Sequence, residues 1–317
     1  MEVLMSNWSN VVQSLPEKYI IPPAKRPGKL VFPVVNDVPV IDLETGEGHG
    51  RGDIIQQILH ACQEFGFFQV INHGIPVSLM DDTMNVLKEF FGMSPEYKAN
   101  FYSTDINSKC RIYSSTMSYD SEEVHYWRDN FTHHCHPLED QLQLWPEKPT
   151  RYREVVGAYS VEVRKLLLRM LDLIGEGLAL KLGYFDSELS KIQLLSVNYH
   201  IPCPNPSLTL GMPEHCDPNL ISMLQQCSVP GLQVISNGKF TSPIHRVITH
   251  PKEARTTMGT FLIPSHDMLI QPPDTDCAGD DAPLYRGFTY QEFFTTFIKN
   301  SCDADTALEY FKNKLNI

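Results

Sequence analysis

A chain of 317 residues with 42 % hydrophobic residues can bury a substantial core, as one large domain or two ordinary ones. Its net charge of −12 excludes the basic face that phosphate backbones and anionic lipid require, so the expected partner is a small molecule, with no nucleic acid and no membrane. The longest apolar runs, such as Leu166 to Met170, are too short to span a bilayer, and Met1 to Asn10 lacks a signal-peptide core. A cytoplasmic monomer is therefore expected, in a reducing compartment that suits eight cysteines with no CxxC pair among them.

In chain order, residues 1–37 are rich in Pro and Lys and predict an extended arm. Val38 to Leu43 predicts a short strand, followed by a Gly-rich loop from Gly46 to Gly52. Ile54, Ile55, Ile58, Leu59 and Cys62 recur at helical spacing and predict a helix over 53–64. Phe67 to Ile71 reads as a second strand stopped by Asn72-His73-Gly74, and Ser78 as the N-cap of a helix running to Phe91. A long helix is predicted over 152–182, with a buried stripe from Val155 to Ile174 and Gly183 as its stop. From Ile192 the texture changes to short β-like runs between Pro, Gly and Asn: 194–199, 208–211, 220–225, 231–236, 245–249 and 256–263. Two helices, 289–298 and 304–314, close the chain. An N-terminal unit over 1–150 and a second unit over 151–317, with the long helix supporting an antiparallel barrel, is the simplest division; the fold class is mainly β with an α/β N-terminal layer.

The chemistry concentrates in the β region. His215 and Asp217 stand at i and i+2, which in an extended strand project to one side. Imidazole plus carboxylate suits a first-row divalent metal, and a third ligand would complete a two-His, one-carboxylate facial triad of the kind used by non-haem Fe(II) oxygenases. His-x-Asp alone recurs by chance, so its setting matters.

That setting carries a family resemblance. Asn198-Tyr199-His200-Ile201-Pro202-Cys203-Pro204, then His215-Cys216-Asp217-Pro218-Asn219-Leu220, Ser236-Asn237-Gly238-Lys239-Phe240, His245-Arg246-Val247 and Arg255-Thr256-Thr257 resemble, in order, the signature of the plant Fe(II)- and 2-oxoglutarate-dependent dioxygenases. Ala61 to Phe68 and Val70 to Gly74 are similar to that family's N-terminal module, and the stretch from Tyr126-Trp127-Arg128-Asp129 to Trp145–Pro149 is similar to its hyoscyamine 6-hydroxylase-like members. The resemblance implies a double-stranded β-helix, the cupin-like jelly roll, flanked by helices. It implies His215, Asp217 and His245 as ligands of Fe(II), and Arg255, Thr257, Tyr199 and Asn198 as contacts to 2-oxoglutarate. It further implies O2 as co-substrate, ascorbate as a supporting reductant, and decarboxylation of 2-oxoglutarate to succinate coupled to hydroxylation or desaturation of a small specialised metabolite such as an alkaloid or flavonoid.

One departure stands out. The segment between Asp217 and His245 is roughly half the family's length, as if about 30 residues, enough for three or four short strands, were absent after Gly231-Leu232-Gln233. Two other readings follow: a catalytically impaired form that retains metal, ligand or partner binding, and a hydrolytic zinc site, for which a dicarboxylate clamp would be superfluous. Structural readings fit the remaining histidines better. His73 belongs to a turn and His250 to a loop before Pro251, while His133, His134 and His136 read as a solvated or substrate-facing segment rather than a metal site. Tyr126, Trp127 and Phe131 fit either a substrate pocket or core, and Asp280 and Asp281 a solvated loop.

Overall fold

The computed structural model describes residues 4–8, 12–27, 38–44, 50–235, 244–272, 283–300 and 303–313. The N-terminal segment is not simply an extended arm. It forms 3₁₀ turns at Met5–Asn7, Glu17–Tyr19 and Pro23–Lys25, and Met5 and Tyr19 are buried against Trp127, Ile201 and Cys203. The buried Asp129 carboxylate accepts hydrogen bonds from the Met5 and Ser6 N–H groups at 2.9 and 2.7 Å, pinning the segment to the sheet. The predicted Gly-rich loop lies largely outside the described residues.

Strand β1 (Val40–Asp42) pairs in parallel with β2 (Gln69–Ile71), joined by α1 (Arg51–Glu64). Helix α2 (Val77–Phe91) starts one residue before the expected cap: Pro76, with φ −58°, is its N-cap, and Ser78 lies inside the helix. After α3 (Pro95–Ala99) come two strands that the pattern did not predict, β3 (Cys110–Ser114) and β4 (Asp129–His134), then α4 (Leu138–Gln141). Helix α5 (Tyr152–Gly177) stops before the predicted residue 182, because Ala179 turns to φ 54° and breaks the helical path; Gly183, the expected stop, sits in a later turn at φ 73°.

The β region contains β5 (Ile192–His200), β6 (Met212–His215), β7 (Ile221–Gln226), β8 (Leu232–Ile235), β9 (Ile244–Val247) and β10 (Arg255–Ile263). The strand expected over 208–211 is displaced: Pro206–Leu208 forms a 3₁₀ turn and the chain extends only from Met212. A five-stranded sheet runs β3-β4-β5-β10-β7, and a three-stranded sheet runs β6-β9-β8. Alternation divides the larger sheet. Leu195, Val197, Met258 and Leu262 face the main core with Phe90, Phe131, Tyr152, Leu167 and Leu171 from the helices and β4. Asn198 and His200, opposite Thr257 and Arg255, lie on the other face, toward the smaller sheet.

An eight-stranded jelly roll divides its strands between two sheets; here β5 to β10 supply six. Among the described residues β7 pairs only with β10 and β8 only with β9, so both sheets end at consecutive strands. Ser222, Leu224 and Gln226, on the face of β7 that the smaller sheet should cover, are exposed. Among the described residues the strands bearing His215, His245 and Arg255 are thus paired, while β7 and β8 are each left with one unpaired edge. Residues 236–243, including the Ser236–Phe240 element, lie outside the described residues, as do Asp280 and Asp281. The chain continues through β11 (Leu269–Ile270) and β12 (Phe288–Thr289) to α6 (Tyr290–Lys299), closed by a Thr289/Glu292 capping box, and α7 (Ala304–Glu309), shorter than the helix expected to residue 314.

Candidate metal and co-substrate site

His215 ends β6 and pairs across the ladder with His245 of β9, so their rings meet with centroids 4.1 Å apart. Asp217 follows just beyond the strand, its Oδ1 3.7 Å from His215 Nε2 and 3.8 Å from His245 Nε2. The three ligand atoms lie within 4.8 Å of one another and form the one such convergent group among the described residues. His215 Nδ1 is 2.9 Å from the Pro213 carbonyl, which can only accept. Nδ1 must therefore carry the proton, leaving the Nε2 lone pair turned toward Asp217. Burial, then the neighbouring His245, pushes the His215 pKa down to about 4 against the pull of Asp217, so the ring is neutral at pH 7, as a metal ligand must be. A donor set of two imidazoles and one carboxylate would suit Fe(II), which such a triad holds with positions open, better than a closed four-ligand structural zinc site.

Arg255, the first residue of β10, is 1 % exposed. Its Nη2 donates to Gln226 Oε1 at 2.7 Å, but its Nε and Nη1 are buried with no hydrogen-bond partner. Burial lowers its pKa to about 10, so it remains a cation at neutral pH. A buried guanidinium with two nitrogens, three N–H donors in all, left unpartnered is costly unless an anion completes it, and its planar fork matches a carboxylate. Thr257 lies on the same face two residues on, 2 % exposed, and Asn198 is its register partner. The Asn198 carbonyl accepts from Arg128 Nη1 at 2.7 Å and Asn130 Nδ2 at 3.0 Å, which leaves its amide N–H groups to donate.

Tyr199 is not where the resemblance put it. Its register partner is Thr256, so its ring emerges on the opposite face, where it stacks on Phe91 with centroids 4.7 Å apart. The residue facing Arg255 is His200. Its Nδ1 contacts the Arg255 carbonyl at 3.4 Å, while Nε2 is buried without a partner; burial and then Arg255 push its pKa down to about 3. Arg128, also missed, reaches Asn198 and the Met212 sulfur from the same side. Strand parity was the available signal: adjacent residues Asn198 and Tyr199 cannot share a face, whereas Asn198 and His200 can.

The other candidates are structural. His73 Nδ1 accepts from Ile75 N–H, and His250 Nδ1 from Lys252 and Glu253 N–H, each closing a turn. The 133–136 segment is largely not solvated: His133 and His134 belong to β4, and His133 is fully buried, with Nε2 2.9 Å from the Tyr152 hydroxyl. Trp127 and Phe131 are core; Tyr126 alone of the three is partly exposed.

Comparison with known proteins agrees with this geometry. Residues 38–151 match the family model for the non-haem dioxygenase in morphine synthesis N-terminal region. Residues 191–235 match that of the 2OG-Fe(II) oxygenase superfamily, a match that ends with β8. The chain is 43 % identical to hyoscyamine 6-dioxygenase of Hyoscyamus niger, covering 98 % of this chain and 99 % of that one. It is 34 % identical to flavanone 3-dioxygenase 2 of Oryza sativa subsp. japonica, covering 95 % of each. The first alignment runs over 349 positions, more than the 317 residues present, so part of that relative has no counterpart here. Among solved structures, JOX2 in complex with 2OG, Fe and JA superposes with a TM-score of 0.81 at 26 % identity, covering 98 % of both chains. The dioxygenase for auxin oxidation in rice, at 19 % identity and TM-score 0.72 over 87 % of this chain and 100 % of its own, shares the fold. The chain thus belongs to the 2-oxoglutarate- and Fe(II)-dependent oxygenases and carries their jelly-roll fold.

Proposed function

We propose that this enzyme hydroxylates or desaturates a small specialised metabolite, an alkaloid or flavonoid in class, while 2-oxoglutarate is decarboxylated to succinate. The observation that carries the reading is Arg255: a buried cation, two of whose nitrogens have no acceptor for their N–H donors, on the face of β10 that looks toward the smaller sheet. In this reading His215, Asp217 and His245 hold Fe(II), which when bound supplies the O2 chemistry. Arg255 receives the distal carboxylate of 2-oxoglutarate, Thr257 supports it with a hydroxyl, and Asn198 donates its amide, oriented by Arg128 and Asn130. The two cations on this inner face, Arg128 and Arg255, fit a doubly anionic co-substrate and give a hydrolase no evident use. Ascorbate keeps the iron reduced, and the chain works as a cytoplasmic monomer without nucleic-acid or membrane partners. The similarity to hyoscyamine 6-dioxygenase and to flavanone 3-dioxygenase 2 motivates the substrate class.

The test is succinate formation from 2-oxoglutarate with Fe(II), ascorbate and O2 against a panel of alkaloids and flavonoids. Succinate and an oxidised product in equal amounts support the reading. Binding of 2-oxoglutarate with no succinate from any member of the panel would favour the second reading, a binding protein with impaired turnover, which the open ends at β7 and β8 motivate.

A further inference from the structure

The guanidinium of Arg255 has one side-chain partner, Gln226, and that partner is neutral. A buried arginine ordinarily meets a carboxylate, since pairing offsets the loss of hydration. Here β7 delivers an amide instead: Gln226 faces Arg255 because both lie on the inner face of the sheet, Gln226 opposite Thr257 and Arg255 two residues before Thr257 at the start of β10. Arginine has only donors, so the Gln226 carbonyl oxygen must point at Nη2, and the 2.7 Å contact tethers that end of the fork. Nε and Nη1 are left turned away from it, both without partners. The amide thus holds the fork without neutralising it.

We infer that Gln226 is a positioning residue of the co-substrate pocket, selected by the chemistry of the site as a neutral acceptor that orients Arg255 while leaving its full charge for an incoming dicarboxylate. The inference rests on the proposed role of Arg255. It assigns to β7, the strand at the open end of the sheet, a part in co-substrate affinity. A glutamate at the same place would occupy Nη2 equally well but would act as an internal competitor, pairing with the guanidinium in the free protein and repelling a second carboxylate.

The experiment is anaerobic titration calorimetry of 2-oxoglutarate into the Fe(II)-loaded full chain, comparing the parent, Gln226→Glu, Gln226→Leu and Arg255→Gln. Gln226 is exposed on an edge strand, so both of its variants should fold, and melting curves without 2-oxoglutarate check this. The expected result is a weakening of 2-oxoglutarate binding of a few-fold for Gln226→Leu and at least tenfold more than that for Gln226→Glu, with an unchanged or raised melting temperature for the latter. Equal weakening by Leu and Glu would overturn the charge argument and leave only packing. Parent-like affinity in Gln226→Glu, with affinity lost in Arg255→Gln, would remove Gln226 from the pocket altogether. Parent-like affinity in Arg255→Gln would instead overturn the reading of Arg255 on which the inference stands.

Discussion

Two glycines set how closely the backbone approaches the inner face. A Cβ on Gly231 would lie 2.7 Å from Arg255 Nε, 2.8 Å from its Cδ and 3.0 Å from the Ile248 carbonyl oxygen; one on Gly211 would lie 2.5 Å from His200 Cδ2. At Gly231 the obstructing atoms include backbone, so Gly231→Ala cannot be absorbed by one rotamer change, and overpacking of this kind costs about 1–3 kcal/mol. Because the displaced atoms include the guanidinium Nε, the expected signature is roughly tenfold weaker 2-oxoglutarate binding with divalent-metal affinity within about twofold of the parent, a split that calorimetry resolves. His245→Ala should do the reverse. Removing one of three ligands should lower metal affinity by about 100-fold or more, exceeding the 10–100-fold that follows loss of a group merely supporting a ligand. A metal titration that leaves His245→Ala indistinguishable from the parent would dissolve the triad.

Strands β4 and β5 carry two histidines that burial keeps neutral. His133 and His200 each have folded pKa values near 3, against an ordinary 6.5. Between those limits the unfolded chain binds protons that the folded chain refuses, so stability is complete above about pH 6.5 and falls as the pH drops, by at most about 1.4 kcal/mol per pH unit for each ring. Melting temperature should therefore decline steeply from pH 7 to pH 5, and His133→Gln, which can still bond the Tyr152 hydroxyl, should flatten that slope whatever it does to stability at pH 7. An identical slope in the variant would show that His133 titrates normally. The same two strands mark how far the sequence could be read. Strands β5 and β7 to β10 were legible because turn residues punctuate them and apolar residues alternate along them. Strands β3 and β4 were not, because Arg111, Asn130 and His133 are buried polar residues that break the alternation, and their hydrogen-bond partners, Ile106 and Ser108 for Arg111, Ser196 and Asn198 for Asn130, Tyr152 for His133, appear only in three dimensions. The convergence of His215 and Asp217 was legible because i, i+2 spacing survives at a strand end, and His245 joins them through the β6–β9 pairing. The face bearing Arg255 was only half legible: the resemblance pointed to Tyr199, while strand parity, confirmed by the register, puts His200 opposite Arg255.

At the scale of the whole molecule, β7 and β8, consecutive along the chain, are outer strands of the larger and the smaller sheet among the described residues. The β6–β9 ladder, irregular between Met212 and His215, still sets His215 opposite His245, and β10 still pairs with β5 on one side and β7 on the other, so His215, His245 and Arg255 sit in paired strands. What is lost is cover. Leu224 is 43 % exposed on the inner face of β7, and the outer edges of β7 and β8 have no strand partner among the described residues. Uncovered apolar area forgoes about 25 cal/mol per Å², and an uncharged edge such as Ile221–Gln226 is an invitation to unintended strand pairing. Inserting a family-like hairpin after Gln233 should therefore raise the melting temperature and reduce concentration-dependent aggregation. It should also increase succinate formation by tightening the wall beside Gln226 and Arg255, while leaving metal affinity nearly unchanged because no ligand moves. Melting curves, light scattering and 2-oxoglutarate turnover on the native and inserted chains separate these effects. A native chain as stable and as active as the inserted one would mean that the two sheets, even with open ends, already form a complete site, and that the missing strands serve neither cover nor catalysis in this enzyme.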